Sequence, residues 1–240
     1  MLEGEVIKKL SIKNQTTETN IAREYIQHLF LSFFYQHLES ENVLFKGGTA
    51  LHIIFQSPRF SEDLDFSGFG VNLQTLENLV LATISEMEKV SLKVEITESK
   101  TTSGGYLSIL YFTFLEFNIR LLLEVSLRKQ NNIKGEPILV GSEFIPSYTL
   151  LILPERLLIE EKLNALLGRG KARDYFDLYF LLRKGLIKVE QRKVLKEIKT
   201  HIIQGKLPSV KELEDFLPHS LSMIIRDFRK VLLREISRYV

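Results

Sequence analysis

The stretch VLFKGGTALHIIFQSPRFSEDLDFSG, residues 43–68, decides the fold predicted for this chain. Its short apolar run, residues 43–45, is followed by two glycines, and an apolar stretch of helical period begins at Thr49. After a Ser-Pro loop, a second short run carries Asp63 and Asp65. The pattern predicts a strand, a glycine turn, a short helix, a loop and a second strand.

Carboxylates and glycines in this stretch predict a nucleotide site. Side chains alternate between the faces of a strand, so Asp63 and Asp65 are expected on one face. Two adjacent carboxylates repel each other unless a cation lies between them, and such oxygen ligands suit Mg²⁺. The backbone N–H groups of Gly47 and Gly48, with the Thr49 hydroxyl, are expected to bind phosphate, because glycine has no Cβ to block it. Together these residues predict a nucleoside triphosphate (NTP) site.

The order GG-T followed by D-L-D resembles the signature of the DNA polymerase β-like nucleotidyltransferase superfamily. The longer pattern FKGGTAL…RFSEDLDFS is similar to sequences of the AbiEii/AbiGii branch, the toxins of type IV toxin–antitoxin and abortive-infection systems. The resemblance covers residues 43–182. It implies transfer of a nucleoside monophosphate from an NTP to RNA, expected at a tRNA 3′ end, with growth arrest as the outcome. It also implies a cognate antitoxin encoded alongside.

The composition predicts an ordinary globular protein. Of 240 residues, 45% are hydrophobic and 26% are charged. No apolar run approaches a membrane span, and the N-terminal segment MLEGEVIKKL lacks a signal-peptide core, so a cytoplasmic protein with no membrane partner is expected. The absence of cysteine excludes a disulfide framework and a thiolate metal site.

Charge divides the chain into two predicted lobes. Residues 1–150 carry 13 Lys and Arg against 18 Asp and Glu, whereas residues 151–240 carry 19 against 12. The division predicts a metal-binding nucleotidyltransferase lobe over 1–150 and a helical lobe over 151–240 that contributes nucleotide- and RNA-binding residues. Alternatively, the C-terminal helices present only a solvated basic face.

The fold class predicted is α+β, a nucleotidyltransferase-like mixed sheet with flanking helices, followed by a C-terminal helical region. A polar connection is expected over 128–147. Helices are predicted after the cap at Thr16 and Thr17 and over 72–90, 155–167, 172–183, 189–203 and 217–239. Strands are predicted over 92–97, 106–114 and 119–127, and the polar connection is expected to contain a short hairpin at 138–140.

Glu124 is a lone carboxylate in the apolar third of these strands. Burying such a group is costly unless a cation compensates it. The superfamily places a third acid on a neighbouring strand, and the resemblance therefore assigns Glu124 to the metal site, with a role as base toward the acceptor. The alternative is a glutamate on an edge strand, facing solvent.

A second cluster lies in IEEKLNALLGRGKARDYFDLYFLL, residues 159–182. It resembles the C-terminal motif of the AbiEii family. By that resemblance Lys162 and Asp174 serve nucleotide binding and catalysis, Asp177 supports them, and whether Lys171 or Arg173 is the family's basic position stays open. The nucleotide contacts predicted here are Lys162, Arg169, Arg173 and Asp177. The alternative is an internal salt-bridge network in which Lys162 or Arg173 pairs with Asp177.

The mechanism expected from this set is two-metal nucleotidyl transfer. Asp63, Asp65 and Glu124 would bind Mg²⁺, with Mn²⁺ as a substitute. One ion would lower the pKa of the acceptor hydroxyl and the other would neutralise the departing pyrophosphate. Two alternatives stay open: nucleotidylation of a small molecule or a protein, and a non-catalytic relative that only binds NTP or RNA.

Overall fold

The computed structural model describes residues 2–129, 133–205 and 207–240. The chain forms two compact units. The first comprises Met1–Gln56 and Phe60–Pro154, and the second comprises Glu155–Val240 together with Ser57–Arg59. The short loop segment after the glycine helix therefore belongs to the second unit.

The first unit is built on a mixed seven-stranded sheet in the order β3-β4-β5-β2-β1-β7-β6. The central strand β2 runs parallel to β5 and antiparallel to β1, and β1 runs parallel to β7. The bounds of the strands are β1 Val43–Lys46, β2 Leu64–Phe69, β3 Lys93–Thr102, β4 Gly105–Phe114, β5 Phe117–Arg128, β6 Glu136–Val140 and β7 Tyr148–Ile152.

The α-helices described in this unit are α1 Gly4–Asn14, α2 Glu18–Phe34, α3 Gly47–Ile53 and α4 Leu73–Lys89. The Thr17 side chain caps α2 by accepting a hydrogen bond from the Asn20 N–H at 3.1 Å, as its Ser/Thr cap signal predicts. The core joins α2 to the central strands, since the Phe66 ring lies 5.1 Å from that of Phe34 and 5.4 Å from that of Phe45.

The second unit is helical. Its α-helices are α5 Glu155–Gly168, α6 Ala172–Lys184, α7 Arg192–Ile203, α8 Ser222–Arg226 and α9 Phe228–Ile236. The single terminal helix predicted over 217–239 is wrong. Pro218 keeps Leu217 in an extended conformation (φ −122°, ψ 145°), and Asp227 separates α8 from α9 with φ −108° and ψ 24°.

The predicted mixed sheet with flanking helices is confirmed. Sequence patterns missed α1, whose N-cap residue Glu3 makes no side-chain capping hydrogen bond, so the usual start signal is lacking. The predicted connection over 128–147 includes residues 130–132, which lie outside the described residues. Its later part contains β6, which pairs with β7 beyond its end, so the hairpin predicted at 138–140 is instead one strand of this pair. In the described ranges, no helix has the length and apolar character that crossing a membrane requires.

Candidate active site

A glycine turn brings the backbone against one of the predicted acids. Strand β1 ends at Lys46, and α3 begins at Gly47 with φ +87°, a conformation that favours glycine. A Cβ built on Gly47 would lie 2.0 Å from the Oδ2 atom of Asp65. The Asp65 carboxylate therefore occupies the space that any other residue at position 47 would fill. Gly48, the second residue of α3, is buried.

Asp65 and Glu124 lie side by side. They are register partners on the parallel strands β2 and β5, and directly paired residues place their side chains on one face of a sheet. Glu124 is exposed, as the alternative of a solvent-facing glutamate predicts, but β5 is an interior strand, so the edge-strand part of that alternative is wrong. On the other side of Asp65, its register partner on β1 is Lys46, which is only 9% exposed. One cation and two acids thus form a row across three strands.

Asp63 is held through its backbone. It lies one residue before β2, so only Asp65 of the two acids lies on the strand. The buried Thr49 hydroxyl donates to the Asp63 carbonyl oxygen. The Gln27 amide of α2 donates to the carbonyl oxygens of Ser61 at 2.9 Å and Glu62 at 3.3 Å. A phosphate contact by Thr49 would require its present bond to break, so this geometry gives Thr49 a positioning role.

Arg23 adds positive charge to the same loop. Its Nη2 atom lies 3.1 Å from Oε1 of Glu62. Burial lowers the pKa of the Arg23 guanidinium, while the charges of Glu62 and Asp63 act in the opposite direction. Helix α2 therefore supplies both a hydrogen-bond donor and a charge to the segment that carries Asp63.

The donor set fits Mg²⁺ only if a substrate completes it. Within the described parts of the chain, no group of three or more His, Cys, Asp or Glu side chains is placed to hold a metal ion. The three-carboxylate set predicted from Asp63, Asp65 and Glu124 is thus not pre-assembled, whereas Asp65 and Glu124 are adjacent. Mg²⁺ in NTP-dependent enzymes needs one or two carboxylates plus phosphate oxygens and waters, which this pair can accommodate.

In the helical unit, Asp177 of α6 is a buried anion with two cations. Lys162 of α5 donates to its Oδ2 at 2.7 Å, and Arg59 donates to Oδ1 at 3.0 Å and to Oδ2 at 3.2 Å. Burial would raise the pKa of Asp177, but Arg59 and Lys162 outweigh burial and hold it below its ordinary value. The alternative of an internal salt bridge between Lys162 and Asp177 describes this geometry, and a nucleotide role for either stays a prediction.

Asp174 is also buried and paired. Arg169 donates to its two carboxylate oxygens at 2.8 and 2.9 Å, and the Lys171 N–H donates to Oδ2 at 3.0 Å. The Lys171 contact caps the start of α6, and the Arg169 guanidinium binds the carboxylate in a bidentate manner. Arg173 is half-buried in the same turn. Catalysis by Asp174 and nucleotide binding by Arg169 and Arg173 stay predictions, since these contacts are structural ones.

Sequence reasoning assigned no role to Lys46, Arg59, Arg23 or Gln27. Two of them carried a signal: Lys46 directly precedes the glycine pair, and Arg59 opens the RFSEDLDFS segment. Arg23 and Gln27 lie on an ordinary amphipathic helix, and only their position beside the loop reveals their contacts.

Comparison with known proteins matches most of this sequence to one family model. The sequence model described as nucleotidyl transferase AbiEii toxin of the type IV toxin–antitoxin system matches residues 29–236. Among solved structures, MenT4, a nucleotidyltransferase toxin of Mycobacterium tuberculosis, is 15% identical, with a TM-score of 0.66 over 99% of this chain and 89% of that chain. A search of the curated proteins found no match.

Two structures from Helicobacter pylori are also similar. JHP933 is 21% identical, with a TM-score of 0.63 over 93% of each chain. A protein assigned as a nucleotidyltransferase is 22% identical, with a TM-score of 0.66 over 93% of this chain and 95% of that chain. At these identities the likeness concerns the fold, and it agrees with the mixed sheet predicted from the sequence.

Proposed function

Because this chain belongs to the AbiEii nucleotidyl transferase toxin family of type IV toxin–antitoxin systems, we propose that it transfers a nucleoside monophosphate from an NTP to the 3′ end of tRNA, with Mg²⁺. Family membership makes it a nucleotidyltransferase toxin and implies an NTP substrate and a cognate antitoxin. The RNA acceptor and the metal are proposals. The observation that carries the metal is the adjacent pair Asp65 and Glu124 beside the Gly47 turn, and the RNA acceptor rests on the positive charge of residues 151–240.

The reaction needs a cation at this place. A phosphate at the glycine turn and the Asp65 carboxylate are both anions, and they repel each other unless a cation joins them. Bound Mg²⁺ would supply charge neutralisation on the phosphates and activation of the acceptor hydroxyl. Asp65 and Glu124 are the residues that would hold it, with Asp63 adjoining.

The chain's own residues then have separate tasks. Gly47 and Gly48 let phosphate approach the backbone, and Thr49 holds the Asp63 loop. The acceptor hydroxyl oxygen forms a bond to the α-phosphorus of the NTP, the bond from that phosphorus to the β-phosphate oxygen breaks, and pyrophosphate leaves. Glu124, exposed beside Asp65, accepts the hydroxyl proton.

An RNA acceptor is supported by charge. Residues 151–240 carry 19 Lys and Arg against 12 Asp and Glu, an excess that attracts a polyanion. A small-molecule acceptor would gain little from it. Each phosphate that the protein contacts should steepen the dependence of log affinity on log salt by roughly 0.7 to 0.9.

The test is labelling of a total RNA pool with each α-³²P-NTP and Mg²⁺. We expect label in bands of tRNA size, lost when the RNA 3′ hydroxyl is oxidised beforehand and absent with the Asp65→Asn variant. Parallel reactions offer protein or aminoglycoside acceptors in place of RNA. Label in those acceptors but not in RNA would overturn the proposed acceptor while leaving the enzyme class intact.

A further inference from the structure

Strand β5 carries a solvent-accessible strip that continues past the acid pair. Every second side chain of this strand shares one face. On the opposite face Leu121, Leu123 and Val125 are buried. On the strip, Glu124 and Arg128 are exposed and Ser126 is half-buried between them. A ligand that reaches Glu124 from solvent can therefore also reach Arg128.

At its Arg128 end the strip has two serines nearby, and one of them, Ser67, contacts Arg128. Ser67 of β2 and Ser126 of β5 are register partners, two residues further along their strands than Asp65 and Glu124. Arg128 Nε donates toward Ser67 Oγ at 3.4 Å, which directs the guanidinium back along the strip toward the acids. Two residues of a strand span roughly 7 Å. The cation is therefore anchored about one strand repeat from the carboxylates.

The order of the strands separates two sides of the acid row. The glycine turn follows β1 on one side of Asp65, whereas Glu124 and Arg128 lie on β5, on the other side. A nucleotide held at the glycine turn would leave the β5 side for the second substrate. An acceptor RNA strand brings phosphodiesters to that side, and an arginine fork matches them.

We propose that Arg128, with the Ser126 hydroxyl beside it, binds a backbone phosphate of the acceptor RNA strand near its reacting 3′ end. This inference rests on the proposed function. Arg128 contributes acceptor affinity, and Glu124 on the same strand meets the hydroxyl that the phosphate contact positions. The residue is thus a binding residue for the acceptor and has no part in holding the NTP.

A matched pair of variants tests the assignment. Arg120 lies on the same strand and face as Arg128, four residues from Glu124 in the opposite direction, and it is exposed as well. Steady-state transfer to tRNA is measured for Arg128→Gln, Arg128→Lys and Arg120→Gln. We expect Arg128→Gln to raise the KM for RNA about tenfold or more, as loss of a charge-assisted phosphate contact does, with the KM for NTP unchanged.

The same variant should reduce the salt slope of RNA binding by about 1, while Arg128→Lys recovers part of the affinity and Arg120→Gln matches the wild type. Equal melting temperatures would show that all variants fold. A raised KM for NTP with an unchanged KM for RNA would overturn the assignment in favour of a nucleotide contact. Equal losses for Arg120→Gln and Arg128→Gln would overturn it in favour of general charge attraction. In either case the proposed function is still supported if the wild type labels RNA. If the wild type does not label RNA, both the proposed function and the role of Arg128 are overturned.

Discussion

Gly47 and Asp65 are in direct contact: a side-chain carbon on the glycine would lie 2.0 Å from the Asp65 Oδ2 atom and 2.7 Å from its Cγ atom. This contact joins the two sequence signals of the site, the glycine turn and the paired acids, at one point of the first unit. Either the carboxylate or the turn must move if the glycine is replaced.

Replacing Gly47 with alanine should abolish transfer and lower stability. Its φ of +87° costs an L-residue roughly 1–2 kcal/mol, and the methyl group collides with the carboxylate of Asp65. Gly48 has no positive φ, so Gly48→Ala is the matched control for backbone strain. We expect Gly48→Ala to lose less stability than Gly47→Ala yet raise the KM for NTP. Thermal melting measures the change in stability, and NTP titration measures the KM. Normal transfer by Gly47→Ala would contradict the placement of the active site at this turn.

Neutralising the acids should remove activity without unfolding the protein. Asp65→Asn and Glu124→Gln each relieve repulsion within an adjacent pair, but Asp65→Asn also removes the anion across from the largely buried Lys46. The melting temperature should therefore stay equal or rise in Glu124→Gln, and Asp65→Asn should melt below Glu124→Gln. Transfer at saturating Mg²⁺ should fall at least about a hundredfold, as it does when groups that stabilise transition-state charge are lost. Asp63→Asn tests whether the acid outside the pair is also required. Near-normal rates for Asp65→Asn would exclude the carboxylate metal site.

Variants of Asp177 and Lys162 should separate the structural role of their salt bridge from a role of Lys162 in nucleotide binding. Asp177→Asn leaves Arg59, which is 5% exposed, without its anion and should cost roughly 3 kcal/mol or more of stability. Lys162→Met keeps the Arg59 contact, so it should destabilise the protein much less. If Lys162 also binds NTP phosphate, the KM for NTP rises and kcat falls in a variant that remains folded. Unchanged kinetics in folded Lys162→Met would restrict this lysine to the salt bridge.

Stability should fall in acid through Glu24, a half-buried group outside the site. Burial raises the pKa of Glu24, but the nearby His28 and His52 side chains outweigh burial and lower it from 4.5 to about 2. Because the folded pKa lies below the unfolded one, the contribution of Glu24 is complete above pH 4.5 and is lost as the pH falls toward 2. The difference amounts to roughly 3 kcal/mol.

The measurement is the free energy of unfolding by urea between pH 2 and 7. His28 lies 3.8 Å and His52 3.3 Å from Glu24 Oε1, and the Tyr148 hydroxyl lies 2.9 Å from the other nitrogen of His28. In the Glu24→Gln variant the part of the slope between pH 4.5 and 2 that Glu24 causes should disappear. An identical pH profile for the variant and the wild type would contradict this account.

Local signals were sufficient for the glycine turn and for most helices and strands, but not for Asp63, which lies one residue before β2 and not on the strand predicted to carry it. Asn72 shows why local signals can suffice: its side chain accepts from the Thr75 N–H at 2.8 Å and begins α4, as the local pattern predicts. The prediction of one long terminal helix was wrong because local spacing did not reveal the two breaks in it. Its apolar spacing is helical throughout, but the backbone at Leu217 and Asp227 departs from helical values.

The sequence by itself determined the order of strand, glycine turn, helix and acidic strand, because these depend on residues within a few positions of one another. It also placed Glu124 on an apolar strand, through alternation with a period of two. Only the tertiary structure decided that Glu124 pairs with Asp65, that Lys46 completes the row, and that Arg59 meets Asp177 across 118 positions. Such contacts depend on strand register and on burial, which makes an unpaired charge costly, and neither is encoded in the spacing of neighbouring residues.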